Sequence, residues 1–201
     1  MNKPFLKYVQ EDLGDNFLLI TTGLPATWKT ESAEEVVKIK KTPVLRTYSV
    51  RLEAPKSEAI IDEKVAPKTN KLMAVYAEVF RCADETLKSN GSVILDATFT
   101  TQELRKRAAE IADKNNKTLV ILQTDCPREV SAARILKRTR EKPEHNAPTE
   151  QACLNNNEKF EKVDLDDIKK AFPKLKILHL VIDTTIGELE NLYVKAVHKR
   201  P

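Results

Sequence analysis

The sequence predicts a three-layer α/β fold built around a parallel sheet of about five strands. Short, largely apolar runs are typical of strands that are buried on both faces of a sheet. Amphipathic stretches separate these runs, and such alternation predicts parallel pairing through right-handed helical crossovers. The predicted strands are 17–22, 93–97, 118–124 and 177–182, with a weaker fifth at 43–48.

Amphipathic patterns indicate four helices between these strands, and a further helical stretch follows the first strand. Asn90-Gly91 can close the helix before the strand at 93–97, because glycine readily takes the left-handed conformation that ends many helices. Thr100 or Thr101 can cap the helix that follows this strand. The predicted helices are 30–41, 71–89, 101–115, 128–140 and 150–162.

The domain organisation is expected to be simple. The chain has 201 residues, which suits one domain of ordinary size. A polar stretch at 141–151 separates the last two predicted helices, in the place where a lid would lie. We therefore expect a single domain over residues 1–201, with a helical lid at about 134–163.

Composition argues against several classes of protein. The formal net charge is only +4, which is weak support for binding nucleic acid. The three cysteines are widely spaced and form no paired motif, so neither a disulfide framework nor a zinc site is indicated. No apolar stretch approaches the length that crosses a bilayer, and the N-terminal residues lack the apolar core of a signal peptide. We expect no membrane association and a cytoplasmic location.

A phosphate-binding loop is predicted where the first predicted strand gives way to a helix. The segment at 23–30 reads GLPATWKT and matches G-x-x-x-x-G-K-[ST] except at the second glycine. In such loops backbone N–H groups point at phosphate oxygens, the lysine reaches the β and γ phosphates, and the hydroxyl residue binds Mg²⁺. The nucleotide-binding residues that the motif predicts are Gly23, Ala26, Thr27, Trp28, Lys29 and Thr30.

Tryptophan occupies position 28, where the motif has its second glycine. Glycine there permits an unusual backbone conformation and leaves room for phosphate. Three interpretations follow for the Trp28 indole: it packs outward on the sheet or a neighbouring helix, it blocks or reshapes the phosphate site, or it lines an acceptor pocket. We favour the outward orientation.

A wider resemblance to a known family is carried by four blocks of sequence, at 23–30, 44–51, 75–99 and 119–141. The most specific part is VILDATF at 93–99, which is followed by a helix beginning TQELRKRA and by a later CPREV. Together the blocks resemble the small P-loop kinases of the AAA-type ATPase class, a group related to zeta toxins and polynucleotide 5′-kinases. The resemblance covers nearly the whole chain after Gly14, and the triplet DTT at 183–185 looks like the last strand of the family.

The resemblance implies a P-loop NTPase fold and transfer of the γ-phosphoryl group of ATP to the hydroxyl of a small molecule, a nucleotide or a nucleic acid. It assigns Lys29 to the phosphates as a catalytic cation and Thr30 to Mg²⁺, and it places Asp96, a catalytic and Mg²⁺-binding candidate, at the end of a strand that faces the Mg²⁺ or the acceptor. Asp96 also suits this role physically, because it ends a buried strand and ligands of open α/β sheets collect at the carboxyl ends of the strands. A structural carboxylate that caps the next turn is the alternative for Asp96.

The acceptor side departs from the family pattern. Family members read R-S-D-x-x-R where this chain reads RTYSVR at 46–51, so Tyr48 replaces a carboxylate that would orient or deprotonate the acceptor hydroxyl. A phenol with an ordinary pKa of about 10 is a poor base at neutral pH. Phosphoryl transfer depends mainly on positioning and electrostatics, so loss of the base can slow turnover without abolishing it. The acceptor-side candidates are Arg46, Tyr48, Arg51 and Thr98.

Two arginines of the predicted helix at 128–140 complete the candidate site. Arg134 and Arg138 are four residues apart and share one helix face. The resemblance makes them lid residues that close over the triphosphate, where arginine neutralises charge on the transferred group. A solvated basic helix face is the alternative for each of them.

The leading functional hypothesis is an ATP- and Mg²⁺-dependent kinase that acts on an unidentified hydroxyl acceptor. A nucleotide-binding protein with weak or no transferase activity is the first alternative, because Trp28 and Tyr48 both depart from the family. A nucleic-acid kinase is the second alternative, and the basic residues of the predicted lid are its support.

Overall fold

The computed structural model describes residues 3–47, 68–141 and 160–201, with side-chain contacts for all of these except 68–72 and 138–141. Seven strands and six α-helices lie within these ranges. The strands are β1 (Lys3–Pro4), β2 (Phe17–Thr22), β3 (Val44–Arg46), β4 (Val93–Asp96), β5 (Thr118–Asp125), β6 (Ile177–Asp183) and β7 (Tyr193–Arg200). The helices are α1 (Phe5–Glu11), α2 (Lys29–Lys40), α3 (Lys68–Ser89), α4 (Gln102–Lys114), α5 (Arg128–Glu141) and α6 (Leu165–Ala171).

One sheet contains all seven strands, in the order β1-β7-β6-β5-β2-β4-β3. The five strands from β6 to β3 are parallel to one another, and they are the five that the sequence predicts. The predicted total of about five strands is too low, because β7 pairs antiparallel with β6 and β1 pairs antiparallel with β7. These two strands extend one edge of the sheet and leave the order of the parallel strands unchanged.

Helices cover both faces of the sheet, which gives the predicted three layers. Successive side chains of a strand point to opposite faces. Leu18 and Ile20 of β2 accordingly belong to the core beneath α3 and α4, whereas Leu19 belongs to the core beneath α1 and α2. Burial on both faces explains why the strand shows a continuous apolar run instead of alternation.

The parallel pairing determines where a site can form. β4 and β5 both pair with β2, so the carboxyl ends of these three strands lie at one edge of the sheet. The loops that follow the three strands begin at Gly23, Ala97 and Cys126. Ligands of open parallel sheets bind at this kind of edge.

Four predicted helices are confirmed as α2, α3, α4 and α5. Thr101 caps α4 as predicted, since its hydroxyl accepts a hydrogen bond from the Leu104 N–H at 3.4 Å. The predicted helix at 150–162 lies mostly outside the described residues, and 160–162 are not helical. None of the described helices is both long and apolar enough to cross a bilayer.

His179 is a buried histidine on β6. Its Nε2 atom is 2.9 Å from Gln123 Oε1 of β5, and its ring centre is 5.5 Å from that of His198 on β7. Burial, with smaller contributions from His198 and Arg105, lowers the pKa of His179 to about 4. The folded protein therefore favours the neutral imidazole at all but acidic pH.

This histidine should make stability fall as the pH is lowered. Its pKa is about 6.5 in the unfolded chain and lower in the folded protein, so the unfolded chain binds more protons between these two values. We expect the contribution of His179 to cost about 2 kcal/mol of unfolding free energy between pH 7.5 and pH 5. Urea unfolding at both pH values measures the change. In His179→Gln, most of the difference in unfolding free energy between the two pH values should disappear. An unchanged pH dependence in His179→Gln would contradict the prediction.

Candidate functional site

The loop between β2 and α2 turns tightly before the helix begins. Gly23, Ala26 and Trp28 have positive φ angles of 141°, 56° and 65°. Gly23 also lacks room for a side chain, because a Cβ there would lie 2.5 Å from the hydroxyl oxygen of Thr124 on β5. Loops of this kind at a helix N-terminus form concavities that bind anions through backbone N–H groups.

The side chains of Thr27 and Lys29 hold the loop closed. The Thr27 hydroxyl donates to the Leu24 carbonyl oxygen at 2.7 Å and lies 2.6 Å from Thr124 Oγ1. The Lys29 ammonium donates to the same Leu24 carbonyl at 2.6 Å. Lys29 therefore lies against the loop itself, where a phosphate oxygen can take the place of a carbonyl as its acceptor. Thr30 follows in the first turn of α2 and is exposed.

Trp28 explains why the motif has glycine at this position. Its backbone is left-handed, with φ 65° and ψ 34°, immediately before α2. Its carbonyl oxygen accepts hydrogen bonds from the Ser32 N–H at 3.0 Å and the Ser32 hydroxyl at 2.7 Å, which begins the helix. The left-handed conformation costs a residue with a Cβ about 1–2 kcal/mol. Glycine avoids this cost, and Trp28 does not.

The Trp28 indole contacts α5 and the loop after β6. The guanidinium carbon of Arg134 lies 5.4 Å from the centre of the ring, a cation–π contact of about 0.5–2 kcal/mol. Gly187 lies on the same side, since a Cβ there would be 3.6 Å from the indole Cζ2 atom and 2.9 Å from Arg134 Nη2. Gly187 has a φ of 71°, so backbone conformation and space both favour glycine at this position.

Arg134 connects two loops through backbone carbonyls. Its Nη1 atom donates to the Ala26 carbonyl of the phosphate loop at 3.3 Å. Its Nη2 atom donates to the carbonyls of Thr184 at 2.5 Å and Thr185 at 3.2 Å, directly after β6. The sequence hypothesis expects this arginine to close over a triphosphate, and the structure shows the guanidinium bound to the loop that would hold one.

Asp96 ends β4 and is almost completely buried. The Thr21 hydroxyl of β2 lies 3.4 Å from Asp96 Oδ1, donates to the Ala97 carbonyl at 2.7 Å and accepts from the Ala97 N–H at 3.1 Å. These contacts fix the turn that carries Asp96 at the carboxyl end of its strand. Thr21 is not among the predicted site residues, although a hydroxyl residue near the end of an apolar strand before a phosphate loop is a signal of such a role.

Arg46 lies beside Asp96 on the neighbouring strand. The two residues are paired in the β3–β4 register, and Arg46 Nε donates to Asp96 Oδ2 at 3.3 Å. Arg46 Nη2 also donates to Glu34 Oε1 of α2 at 3.0 Å. Arg46 therefore joins the strand carrying Asp96 to the helix that begins at the phosphate loop. No motif or pattern in the sequence points to Glu34.

The structure describes the remaining candidate residues only in part. Tyr48 and Arg51 lie outside the described residues. Arg138 belongs to α5, but its side chain is not among those described. Thr98 is half-buried in the loop after β4, at the same sheet edge as Asp96. The predicted lid at 134–163 falls partly on α5 and mostly outside the described residues.

The donor set suits Mg²⁺ bound together with phosphate. A threonine hydroxyl and a carboxylate are hard oxygen donors, and Mg²⁺ in nucleotide sites takes one or two carboxylates plus phosphate oxygens and water. Thr30 and Asp96 supply such donors. Within the described ranges no cluster of three or more histidine, cysteine, aspartate or glutamate residues could hold a metal by itself.

The fold and the loop define a P-loop protein, with the phosphate loop between a central parallel strand and the next helix. The chain belongs to the AAA domain family, whose model matches residues 18–163. This result and the solved structures below confirm the resemblance to small P-loop kinases. A comparison with characterised protein sequences finds no significant match.

Three solved structures illustrate the similarity of fold. A proposed kinase from Chloroflexus aurantiacus shares 18% identity over 87% of this chain and 91% of its own, with a TM-score of 0.60. Kti12 from Chaetomium thermophilum, in complex with ADP-AlF3, shares 16% identity over 78% of this chain and 96% of its own, with a TM-score of 0.56. A gluconokinase from Sinorhizobium meliloti shares 13% identity over 85% of this chain and 84% of its own, with a TM-score of 0.55. At these identities the likeness concerns the fold alone.

Proposed function

We propose that the protein is an ATP- and Mg²⁺-dependent phosphotransferase that transfers the γ-phosphoryl group to a hydroxyl. The observation that carries the proposal is the loop at 23–30, with its left-handed turns, its inward-lying Lys29 and Asp96 at the end of the adjacent strand. Family membership supports nucleotide binding, and the ADP-AlF3 complex of Kti12 shows that a protein of this fold holds a nucleotide.

Each residue of the site has a separate task in this proposal. Backbone N–H groups of the loop receive the phosphate oxygens, and the Lys29 ammonium exchanges the Leu24 carbonyl for the β and γ phosphates. Thr30 and Asp96 would hold Mg²⁺, which neutralises negative charge on the phosphates when it is bound. Thr21 keeps the Asp96 turn in place through its contacts with Ala97.

The acceptor side is built around the carboxyl ends of β3 and β4. Arg46 is a fixed positive charge beside Asp96, and Thr98 lies in the loop after β4. Tyr48 and Arg51 stay acceptor-side predictions. Transfer forms a bond between the acceptor oxygen and the γ-phosphorus, breaks the bond to the β–γ bridging oxygen, and releases the hydroxyl proton. Tyr48 stands where family members have a carboxylate that would orient or deprotonate the acceptor hydroxyl, so we expect slow turnover.

Fluorescence of the single tryptophan tests the proposal directly. Trp28 adjoins the phosphate loop, so titration with ATP and Mg²⁺ should change its emission in a saturable manner. Arg134 lies over the indole and Gly187 leaves space beside it, which supports an open phosphate space, so Trp28→Gly should leave ATP affinity by calorimetry within about threefold. Weak binding in the natural sequence with tight binding in the glycine variant would mean that the indole occludes the loop.

A nucleotide-binding protein with little transferase activity is the second candidate. The observation that favours it is the ion pair of Asp96 with Arg46, which occupies one of the two carboxylate oxygens that Mg²⁺ would use. ADP formation from ATP, measured with and without hydroxyl acceptors such as sugars, nucleosides and 5′-hydroxyl oligonucleotides, separates the two candidates. The assay with 5′-hydroxyl oligonucleotides also tests the hypothesis of a nucleic-acid kinase. A cytoplasmic location stays a prediction.

Removing the charge of Asp96 should affect turnover far more than folding. Asp96→Asn keeps the shape of the side chain but weakens binding of Mg²⁺, so we expect Mg²⁺-dependent turnover to fall by about tenfold or more. The measurement is the initial rate over a series of Mg²⁺ concentrations, together with the free energy of unfolding in urea. Glu34→Gln is the matched control, because it removes the other carboxylate that binds Arg46. Equal losses of turnover and stability in Asp96→Asn would identify a structural carboxylate instead.

A further inference from the structure

The phosphate loop keeps a glycine-like shape although it contains tryptophan. Position 28 has a left-handed backbone, and the helix start depends on it through the two hydrogen bonds that the Trp28 carbonyl accepts from Ser32. A side chain with a Cβ disfavours this conformation. Something else in the fold must therefore stabilise it.

Arg134 is placed to supply that stabilisation. Its guanidinium lies over the indole, 5.4 Å from the ring centre, and donates to the carbonyl of Ala26, which is the other left-handed residue of the loop that has a side chain. The opposite end of the guanidinium is anchored to the carbonyls of Thr184 and Thr185. One planar group thus ties both unfavourable positions of the loop to the end of β6.

Gly187 makes this arrangement possible. A Cβ at this position would approach Arg134 Nη2 to 2.9 Å, so any other residue would displace the end of the guanidinium. The same Cβ would touch the indole at 3.6 Å. The three residues come from three separate parts of the chain, and each occupies space that the other two leave free.

We propose that Arg134 is a positioning residue that holds Trp28 in the left-handed conformation and so replaces the second glycine of the phosphate loop. The cation–π contact of the guanidinium offsets the unfavourable backbone conformation, and Gly187 leaves room for the guanidinium. Arg134 acts on the phosphates through the loop in this proposal. Its consequence for affinity rests on the proposed nucleotide site, whereas the contact itself can be tested in the ligand-free protein.

The first test uses the emission of Trp28 without any nucleotide. Arg134→Gln should increase quenching by acrylamide and shift the emission, because the cation over the indole is lost. Gly187→Ala should do the same while keeping the arginine. Arg128→Gln is the matched control, since Arg128 is an exposed arginine of the same helix and should leave the emission unchanged. Unaltered quenching in both Arg134→Gln and Gly187→Ala would overturn the proposal.

The second test is a double-mutant cycle that asks whether glycine makes Arg134 dispensable. With Trp28 present, Arg134→Gln should weaken binding of ADP and Mg²⁺ by about tenfold and lower Tm by about 4 °C. In the Trp28→Gly background the same substitution should change affinity by less than about threefold and Tm by less than about 2 °C. Equal losses in the two backgrounds would show that Arg134 contacts the nucleotide or supports the fold independently of Trp28.

The two readouts keep the proposal separate from the proposed function. If no variant binds ADP, the nucleotide site is wrong, and the quenching and Tm measurements still decide whether Arg134 holds Trp28. If ADP binds but Arg134→Gln weakens its binding as much with glycine at position 28 as with tryptophan, the nucleotide site stands and the positioning role is wrong.

Discussion

Replacing Lys29 by alanine should reduce turnover by at least about 100-fold and weaken ATP binding by about tenfold or more. The Lys29 ammonium lies against the phosphate loop, where it donates to the Leu24 carbonyl at 2.6 Å. Preorganised positive groups that meet charge developing on a transferred phosphoryl group contribute on this scale. Calorimetry with ATP and Mg²⁺ measures the binding, and ADP formation measures the turnover.

The control for this prediction is another lysine of the same helix. Lys38→Ala removes an exposed ammonium that pairs with Glu35, so it should leave both affinity and turnover unchanged. The free energy of unfolding should change by less than about 1 kcal/mol in either variant. Equal ATP affinity in Lys29→Ala and the natural protein would show that the loop does not hold phosphate.

Most of the parallel sheet could be predicted from the sequence because β2, β4, β5 and β6 are largely buried on both faces, whereas β3 at the end of the sheet is half-buried and gives a weaker signal. The sequences of such strands are largely apolar runs, and FLLITT and TLVILQT are clear examples. The antiparallel strand β7 has no such signal, since exposed Lys195 interrupts its apolar residues and exposed His198 and Lys199 follow them. The helices α1 and α6 are each seven residues long, which is too short for a helical period to stand out.

The candidate site could be predicted only where it is local in sequence. The motif at 23–30 specifies the loop, and the residue type at the end of VILD specifies Asp96. The partners of these residues come from distant parts of the chain: Arg134 meets Trp28 across 106 positions, and Arg46 meets Asp96 across 50. A helical pattern places Arg134 on a face, but which loop that face meets is decided by tertiary packing.

Arg105 is the clearest case of a residue whose role the sequence conceals. It lies in the run RKR of α4, which is typical of a solvated helix face, yet its side chain is completely buried. Burial lowers the pKa of Arg105 to about 10, and the nearby Glu161 opposes this effect. The folded protein nevertheless keeps the cation at neutral pH, because the surrounding carbonyl groups accept its hydrogen bonds.

These acceptors belong to two segments that meet over the start of α4. Arg105 Nε donates to the Phe99 carbonyl at 3.1 Å, and Nη2 donates to the carbonyls of Thr100 at 3.0 Å and Glu161 at 2.8 Å. The ring of Phe160 covers the guanidinium at 5.3 Å. The side chain therefore fastens the loop after β4, which begins next to Asp96, to the chain that enters α6.

Replacing Arg105 by alanine should lower the free energy of unfolding by about 4 kcal/mol. The substitution leaves four backbone carbonyl groups without this donor, including that of Lys162 at 3.4 Å, at about 1–3 kcal/mol for each that stays buried, and it opens a cavity beside Phe160. Tm should fall by about 10 °C in a chain of this size. Arg105→Lys keeps the charge but loses the planar fork of donors, so it should recover less than half of the lost free energy of unfolding.

The matched control is Arg107→Ala, which removes a partly exposed arginine over the Phe80 ring at 5.5 Å and should lower the free energy of unfolding by about 1 kcal/mol or less. Urea unfolding of the three variants measures these differences, and a loss in Arg105→Ala no larger than in Arg107→Ala would show that the buried guanidinium does not hold the two segments together.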